Sequence, residues 1–343
     1  MNAYIGLPPE RRRRFCEEAQ AKLGLPAVSI EKDFWVCWTL RELFGLHEWG
    51  TRLTFKGGTS LSKAWKLVDR FSEDIDIVID REFLGFGGGR GPEAAPSKKQ
   101  TRQRLDDLKE VCQRRIREDM KPTLEAKCRS VLPAGDAWTL SIAPPEEDPD
   151  QQTLLFTYPT VFPGTAGYIN PWVKIELGAR SDTEPTETPS IRPYLHEALE
   201  QALGADTFTV RAVAPRRTFW EKAMLLHEET YRPDGKPRKA RMARHYYDLW
   251  CLITKGVAKQ ATDDKGLFER IAAHRVVFFR YSWMDYSTLR QGTLRIVPTA
   301  EQRGFWEQDY KAMREDMFFG AVPTFDEIIR VVSGFEQTFN KCE

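Results

Sequence analysis

Apolar positions recur at helical spacing toward both ends of the chain and alternate at strand spacing between them. Glu10 to Leu23 reads as a first helix, and Ser29-Ile30-Glu31-Lys32-Asp33 opens a second in which Phe34, Trp35, Trp38, Leu40 and Leu43 supply an aromatic face for the core. Leu53 to Phe55 is a short extended run that stops at Gly57-Gly58-Thr59-Ser60, a turn whose glycines permit close approach of backbone to a ligand. A helix should follow, because Leu61, Ala64, Trp65 and Val68 fall at i, i+3, i+4 and i+7. Its N-terminus and the hydroxyls of Thr59 and Ser60 are aimed at whatever the turn holds, and phosphate is the natural guest. Ile75, Ile77 and Ile79 then alternate against Asp74, Asp76, Val78 and Asp80. Residues two apart on a strand share a face, so Asp74 and Asp76 stand side by side at its start.

Gly85 to Pro92 is too glycine-rich for an element interior and predicts a mobile loop over 84–101. No Gly-Lys-Ser/Thr follows and no strand leads in, so it is not a phosphate loop. From Lys98 to about Val131, Leu105, Leu108, Val111, Cys112 and Ile116 mark an amphipathic helix. The period then shortens: Thr139 to Ile142, Leu154 to Val161 and Trp172 to Gly178 read as strands. In the third, Val173, Ile175 and Leu177 point one way and Lys174 and Glu176 the other. Glu176 joins Asp74 and Asp76 if the strands are neighbours; otherwise it belongs to an ordinary polar strand face. The proline-rich stretch from Ser181 to Pro193 puts a boundary near residue 190. Beyond it the pattern is helical, with Thr218 to Tyr231 and Lys239 to Thr254 the clearest cases and packing helices to the end of the chain.

At 343 residues the chain exceeds the usual single core, which points to two domains, 1–190 and 191–343. No run approaches the ~20 apolar residues of a membrane span, and the first ten residues lack a signal-peptide core, so a cytoplasmic protein without membrane contact is expected. The net charge of +1 makes the whole molecule no magnet for polyanions. Locally the picture differs, since Arg232, Lys236, Arg238, Lys239, Arg241 and Arg244 face a single acid, Asp234. Such a run can engage a phosphate backbone, or it is a solvated loop. The cysteines at 16, 37, 112, 128, 251 and 342 show no zinc spacing and read as reduced, mostly buried thiols.

Two carboxylates one pleat apart suit Mg²⁺ beside a substrate phosphate, although charged strand starts are common in themselves. Together with the glycine turn upstream and the intervening helix, they resemble the signature of the polymerase-beta-like nucleotidyltransferases. Phe55-Lys56-Gly57-Gly58-Thr59-Ser60-Leu61-Ser62-Lys63-Ala64 and Arg70-Phe71-Ser72-Glu73-Asp74-Ile75-Asp76 resemble more specifically the AbiEii/AbiGii toxin family of bacterial type IV toxin–antitoxin systems. Glu31 to Val36 and Gly178-Ala179-Arg180 extend that resemblance, as do Trp220-Glu221-Lys222-Ala223 and Arg244-His245-Tyr246-Tyr247-Asp248-Leu249. Taken by themselves, Lys222 reads as one more exposed lysine and Arg244 with Asp248 as a surface i, i+4 pair.

The resemblance implies an α+β fold, a mixed sheet flanked by helices with a helical C-terminal domain that completes the nucleotide pocket. It implies transfer of NMP from an NTP to an acceptor, most readily the 3′ end of tRNA, as a toxin that inhibits growth in phage defence. Asp74, Asp76 and Glu176 would hold Mg²⁺ or Mn²⁺, with Glu176 in a place where an aspartate is common. Gly57, Gly58, Thr59, Ser60, Lys63, Arg70, Ser72 and Lys222 would bind the NTP, Lys222 at the triphosphate, while Asp248 shapes the pocket. A cognate antitoxin of AbiEi type would accompany it, with or without direct contact. Transfer to a protein or small molecule, and NTP binding without catalysis, are the alternatives.

Overall fold

A computed structural model describes residues 1–343 except 73, 165–169, 319–321 and 342–343, with side chains 315 and 316 also outside the description. The chain forms two compact units, Met1–Ala64 with Glu73–Ala212 and Trp65–Ser72 with Val213–Glu343.

The first unit is built on a mixed sheet. Its strands are Leu53–Lys56 (β1), Ile75–Ile79 (β2), Thr139–Ile142 (β3), Thr153–Thr157 (β4), Trp172–Gly178 (β5), Thr186–Glu187 (β6) and Ala212–Val213 (β9), while Ser190–Ile191 (β7) and Phe208–Thr209 (β8) form a separate ribbon. The order across the large sheet is β3-β4-β5-β2-β1-β9-β6. β2 lies inside it, antiparallel to β1 and parallel to β5. The isoleucines of β2 are buried, and in β5 the buried Val173, Ile175 and Leu177 alternate with half-buried Lys174 and Glu176, as the period of two requires. The helix Ala27–Phe44 covers this sheet, with Trp35 and Trp38 at centroid distances of 6.0 and 5.3 Å from Phe156 on β4.

That helix is buried well beyond an aromatic face: Glu31, Lys32 and Asp33 are inside as well. Buried charges require partners, and each has them. Glu31 accepts from Thr160 Oγ1 and Val161 N, both at 2.7 Å, which is why residues 158–161 leave the predicted strand and β4 ends at Thr157. Lys32 Nζ donates to the carbonyls of Asn170, at 3.0 Å, and Trp172. Asp33 pairs with Lys63 and accepts from Tyr194 N at 2.7 Å, and the Lys63 ammonium lies 3.1 Å from the centre of the Tyr194 ring. Burial alone would lower Lys63, but Asp33 holds it above its ordinary value.

Four further expectations are corrected. The glycine pair is the first turn of a helix, Gly57–Lys63, rather than a turn ahead of one; it ends at Ala64, Lys66 takes a left-handed φ of +52°, and Trp65–Ser72 belongs to the second unit, so the Leu61–Val68 stripe is broken. The 84–101 loop is not free-standing: Gly88–Arg90 and Pro92–Ala94 form 3-10 turns, Arg104 Nη1 donates to the carbonyls of Gly89 (2.9 Å) and Gly91 (2.7 Å), and helix Lys98–Arg115 has already begun by 98. The division between units falls at Ala212–Val213 rather than near 190, because β6 and β9 return the chain to the sheet. The helix predicted from Lys239 starts at Arg244, since Asp309 takes the N–H groups of Arg241 (2.6 Å) and Ala243 (2.7 Å) and holds the preceding turn, with Arg241 at φ +65°.

The second unit is helical, with Pro215–Thr230, Arg244–Thr254, Val257–Asp263, Leu267–Phe278, Ala300–Met317 and Phe325–Lys341 as its helices. The segment 65–72 is stitched into it, Phe71 N donating to Met317 O at 2.7 Å and Tyr247 Oη to Asp69 O at 3.3 Å. Cys16, Cys37, Cys112, Cys128 and Cys251 are free and buried, as expected of reduced thiols; Cys342 lies outside the described residues.

Asp33→Asn leaves the Lys63 ammonium buried without its counter-charge and is expected to cost about 3–5 kcal/mol. Urea unfolding at neutral pH measures this, and a loss below about 1 kcal/mol would contradict the role given to the pair.

Candidate active site

Backbone pairing brings the acidic residues of the first unit together. The β1–β2 register sets Lys56 opposite Asp76, and the parallel β2–β5 register sets Asp76 opposite Glu176. Asp74 is exposed just ahead of β2, and Asp76 and Glu176 are half-buried. The strands are neighbours, so the condition for Glu176 to join the two aspartates is met. Gly57, at φ +81°, follows Lys56, and a methyl group built on it would overlap Asp76 Oδ2. Only glycine lets the Asp76 carboxylate lie against the start of the Gly57–Lys63 helix. Thr59 Oγ1 donates to the Asp74 carbonyl and Ser60 Oγ to that of Gly57 at 2.9 Å, which ties the first helical turn to the mouth of β2.

Burial and then the facing Glu176 push the Asp76 carboxyl up to about 7, Asp74 adding to the effect and Lys56 opposing it. Two lysines border the acids. Lys56 Nζ donates to Ser181 Oγ at 2.9 Å, and Lys174 pairs with Glu176. Among the described residues no three His, Cys, Asp or Glu side chains already surround one metal-sized point. Mg²⁺ does not ask for that: it takes one or two carboxylates and fills its shell with water and phosphate oxygens. Hard anionic oxygens, crowded enough to hold a proton on Asp76 near neutrality, fit such an ion.

The second unit holds a separate charge cluster. Arg70 grips Asp248 in bidentate fashion, Nε to Oδ1 at 2.7 Å and Nη2 to Oδ2 at 2.9 Å. Lys222 Nζ lies 2.7 Å from Asp248 Oδ2 and 3.4 Å from His245 Nδ1. Asp248 is fully buried; burial would raise its carboxyl, but Arg70 and Lys222 hold it well below the usual carboxylate range. Burial lowers Lys222 and, with the neighbouring cations Lys222 and Arg244, keeps His245 well below its ordinary value.

Residues 38–331 match the sequence profile of the nucleotidyl transferase AbiEii toxin family of type IV toxin–antitoxin systems. The chain belongs to that family. No curated protein matches it in sequence. Among solved structures it is similar in fold to MenT4, the nucleotidyltransferase toxin Rv2826c from Mycobacterium tuberculosis H37Rv, at a TM-score of 0.50 and 16% identity over 98% of this chain and 91% of that one. The expected α+β class, a mixed sheet flanked by helices with a helical C-terminal portion, is therefore the observed one.

In this AbiEii toxin, Asp74, Asp76, Glu176, Gly57 and Thr59 gather in one cluster and Arg70, Lys222 and Asp248 in another. Gly58 and Ser72 are half-buried, the one within the first turn of the helix and the other at the end of the 65–72 segment. Lys63 is committed to Asp33. Lys56, Lys174 and His245 were named in the sequence patterns but given no role there. Lys174 had a signal, since it shares the Glu176 face; Lys56 had one only through a register the sequence does not state.

Asp248→Asn strands two buried cations and is expected to cost about 3–5 kcal/mol at pH 7. A depressed carboxyl stabilises the fold above its unfolded value of 3.8 and loses that contribution as the pH falls toward the folded one, so the gap between wild type and variant should narrow progressively as the pH falls below about 4. Thermal unfolding across pH 2.5–7, in steps of about half a unit, checks both; a gap independent of pH would contradict the ionised-carboxylate account.

Proposed function

We propose that this toxin transfers NMP from an NTP to the 3′-hydroxyl of RNA, breaking the α–β phosphoanhydride bond and releasing pyrophosphate, with tRNA the favoured acceptor. The observation that carries the reading is the register that sets Asp76 opposite Glu176, with Asp74 at the strand mouth and Gly57 against Asp76. Asp74, Asp76 and Glu176 would hold Mg²⁺ or Mn²⁺. A cation there neutralises charge on the triphosphate that would otherwise repel the attacking oxygen. The Gly57 to Ser60 segment anchors phosphate oxygens through backbone N–H groups, since its hydroxyls are committed to carbonyls. Glu176, paired with Lys174, accepts the proton of the acceptor hydroxyl. Lys222 donates to a triphosphate oxygen, and Asp248 shapes the nucleotide pocket around it.

The basic run supports an RNA acceptor, but not all of it is available. Arg232 and Arg238 are held by Glu229, whereas Lys236 and Lys239 are exposed. Among the described residues no helix is long and apolar enough to cross a membrane; we place the protein in the cytoplasm, with an AbiEi-type antitoxin as its cognate partner.

Incubation with α-labelled NTPs, Mg²⁺ and total cellular RNA, then with purified tRNA, is expected to put label on tRNA 3′ ends. Asp74→Ala should abolish it without unfolding the protein, because that carboxylate is exposed. Neutralising Lys236 and Lys239 should weaken the reaction and lower its salt slope by up to about 2. Label on protein or a small molecule would overturn the RNA acceptor, and no label in any arm would leave an NTP binder.

A further inference from the structure

We infer that His245 is a positioning residue for Lys222: its Nδ1 accepts one Lys222 N–H, and together with Asp248 it aims a third N–H at the nucleotide. The inference rests on the reading of Lys222 as a triphosphate contact and deepens it. An ammonium has three donors and no acceptor. Asp248 Oδ2 takes one at 2.7 Å and His245 Nδ1 lies at 3.4 Å for a second, which leaves the direction of the third fixed by geometry. Because an ammonium can only donate, Nδ1 must carry the lone pair and Nε2 the proton.

The chemistry of the position favours imidazole. Asp248 is already engaged by both Arg70 nitrogens and by Lys222. A carboxylate at 245 would quench the positive charge that a phosphate seeks; a neutral ring orients Lys222 and leaves that charge intact. His245 faces Lys222 from the Pro215–Thr230 helix, Arg244 and Asp248 from its own helix, and Arg70 from the 65–72 segment. Burial first, and then three cations against one carboxylate, keep a proton off the ring.

The test is calorimetric affinity for ATP, CTP, GTP and UTP in Mg²⁺, with melting temperature measured alongside, for wild type, Lys222→Ala, His245→Leu, His245→Gln and His245→Asn. Asparagine places an acceptor oxygen near the position of Nδ1, whereas glutamine places it near that of Nε2. For the tightest-binding NTP, His245→Leu and His245→Gln should bind about tenfold more weakly, and His245→Asn should recover affinity to within about threefold of wild type. A merely structural histidine would not separate Asn from Gln. Equal affinity for Asn and Gln, or wild-type affinity for Leu while Lys222→Ala binds weakly, overturns the positioning role and leaves the Lys222 contact standing. Unchanged affinity for Lys222→Ala overturns the contact and the inference with it.

Discussion

The constraint on which the candidate site depends is a strand register that forces like charges together. Parallel pairing of β2 with β5 sets Asp76 against Glu176, and nothing in those side chains favours the arrangement by itself: the Asp76 carboxyl is pushed toward neutrality. The sheet imposes it, because a slip of β5 by one residue would turn Val173, Ile175 and Leu177 out of the core. Each buried apolar side chain is worth about 1.5–3 kcal/mol, so several together outweigh the repulsion of partly exposed carboxylates. Gly57 completes the constraint, since any side chain there would displace Asp76.

The cluster of the helical unit follows the opposite rule. There a single carboxylate, Asp248, lies among Arg70, Lys222 and a neutral His245, and burial makes its pairing with Arg70 and Lys222 obligatory. Such ions fix geometry more than they add stability, which suits the contact proposed for Lys222. The Lys63–Asp33 pair of the first unit has a structural outcome: it joins two helices.

The strands were largely legible because their periodicity is a property of local sequence: β2 buries its isoleucines and β5 buries Val173, Ile175 and Leu177 with Asp76 and Glu176 half-buried between them, although Val78, read on the other face, is buried as well. The grouping of Glu176 with Asp76 could be framed from sequence only as a condition, because register is a relation between segments about a hundred residues apart. What was not legible shares one cause, a tertiary partner that overrides local pattern. Asp309 cuts back the helix predicted from Lys239, Glu31 takes Thr160 and Val161 from β4, Arg104 fastens the glycine loop, and Asp33 claims Lys63. The basic run was visible as a count of charges, but Glu229 decides which of them remain available.

The central claim is that Asp76 and its facing carboxylates form a divalent-cation site. Mn²⁺ titration followed by electron paramagnetic resonance, in which bound ion loses the free-ion signal, tests it without reference to any acceptor. Wild type should bind Mn²⁺ in the presence of NTP at least about tenfold more tightly than Asp76→Asn, which removes one anionic oxygen donor from the register. Equal uptake by the two proteins, with both folded, would contradict the account.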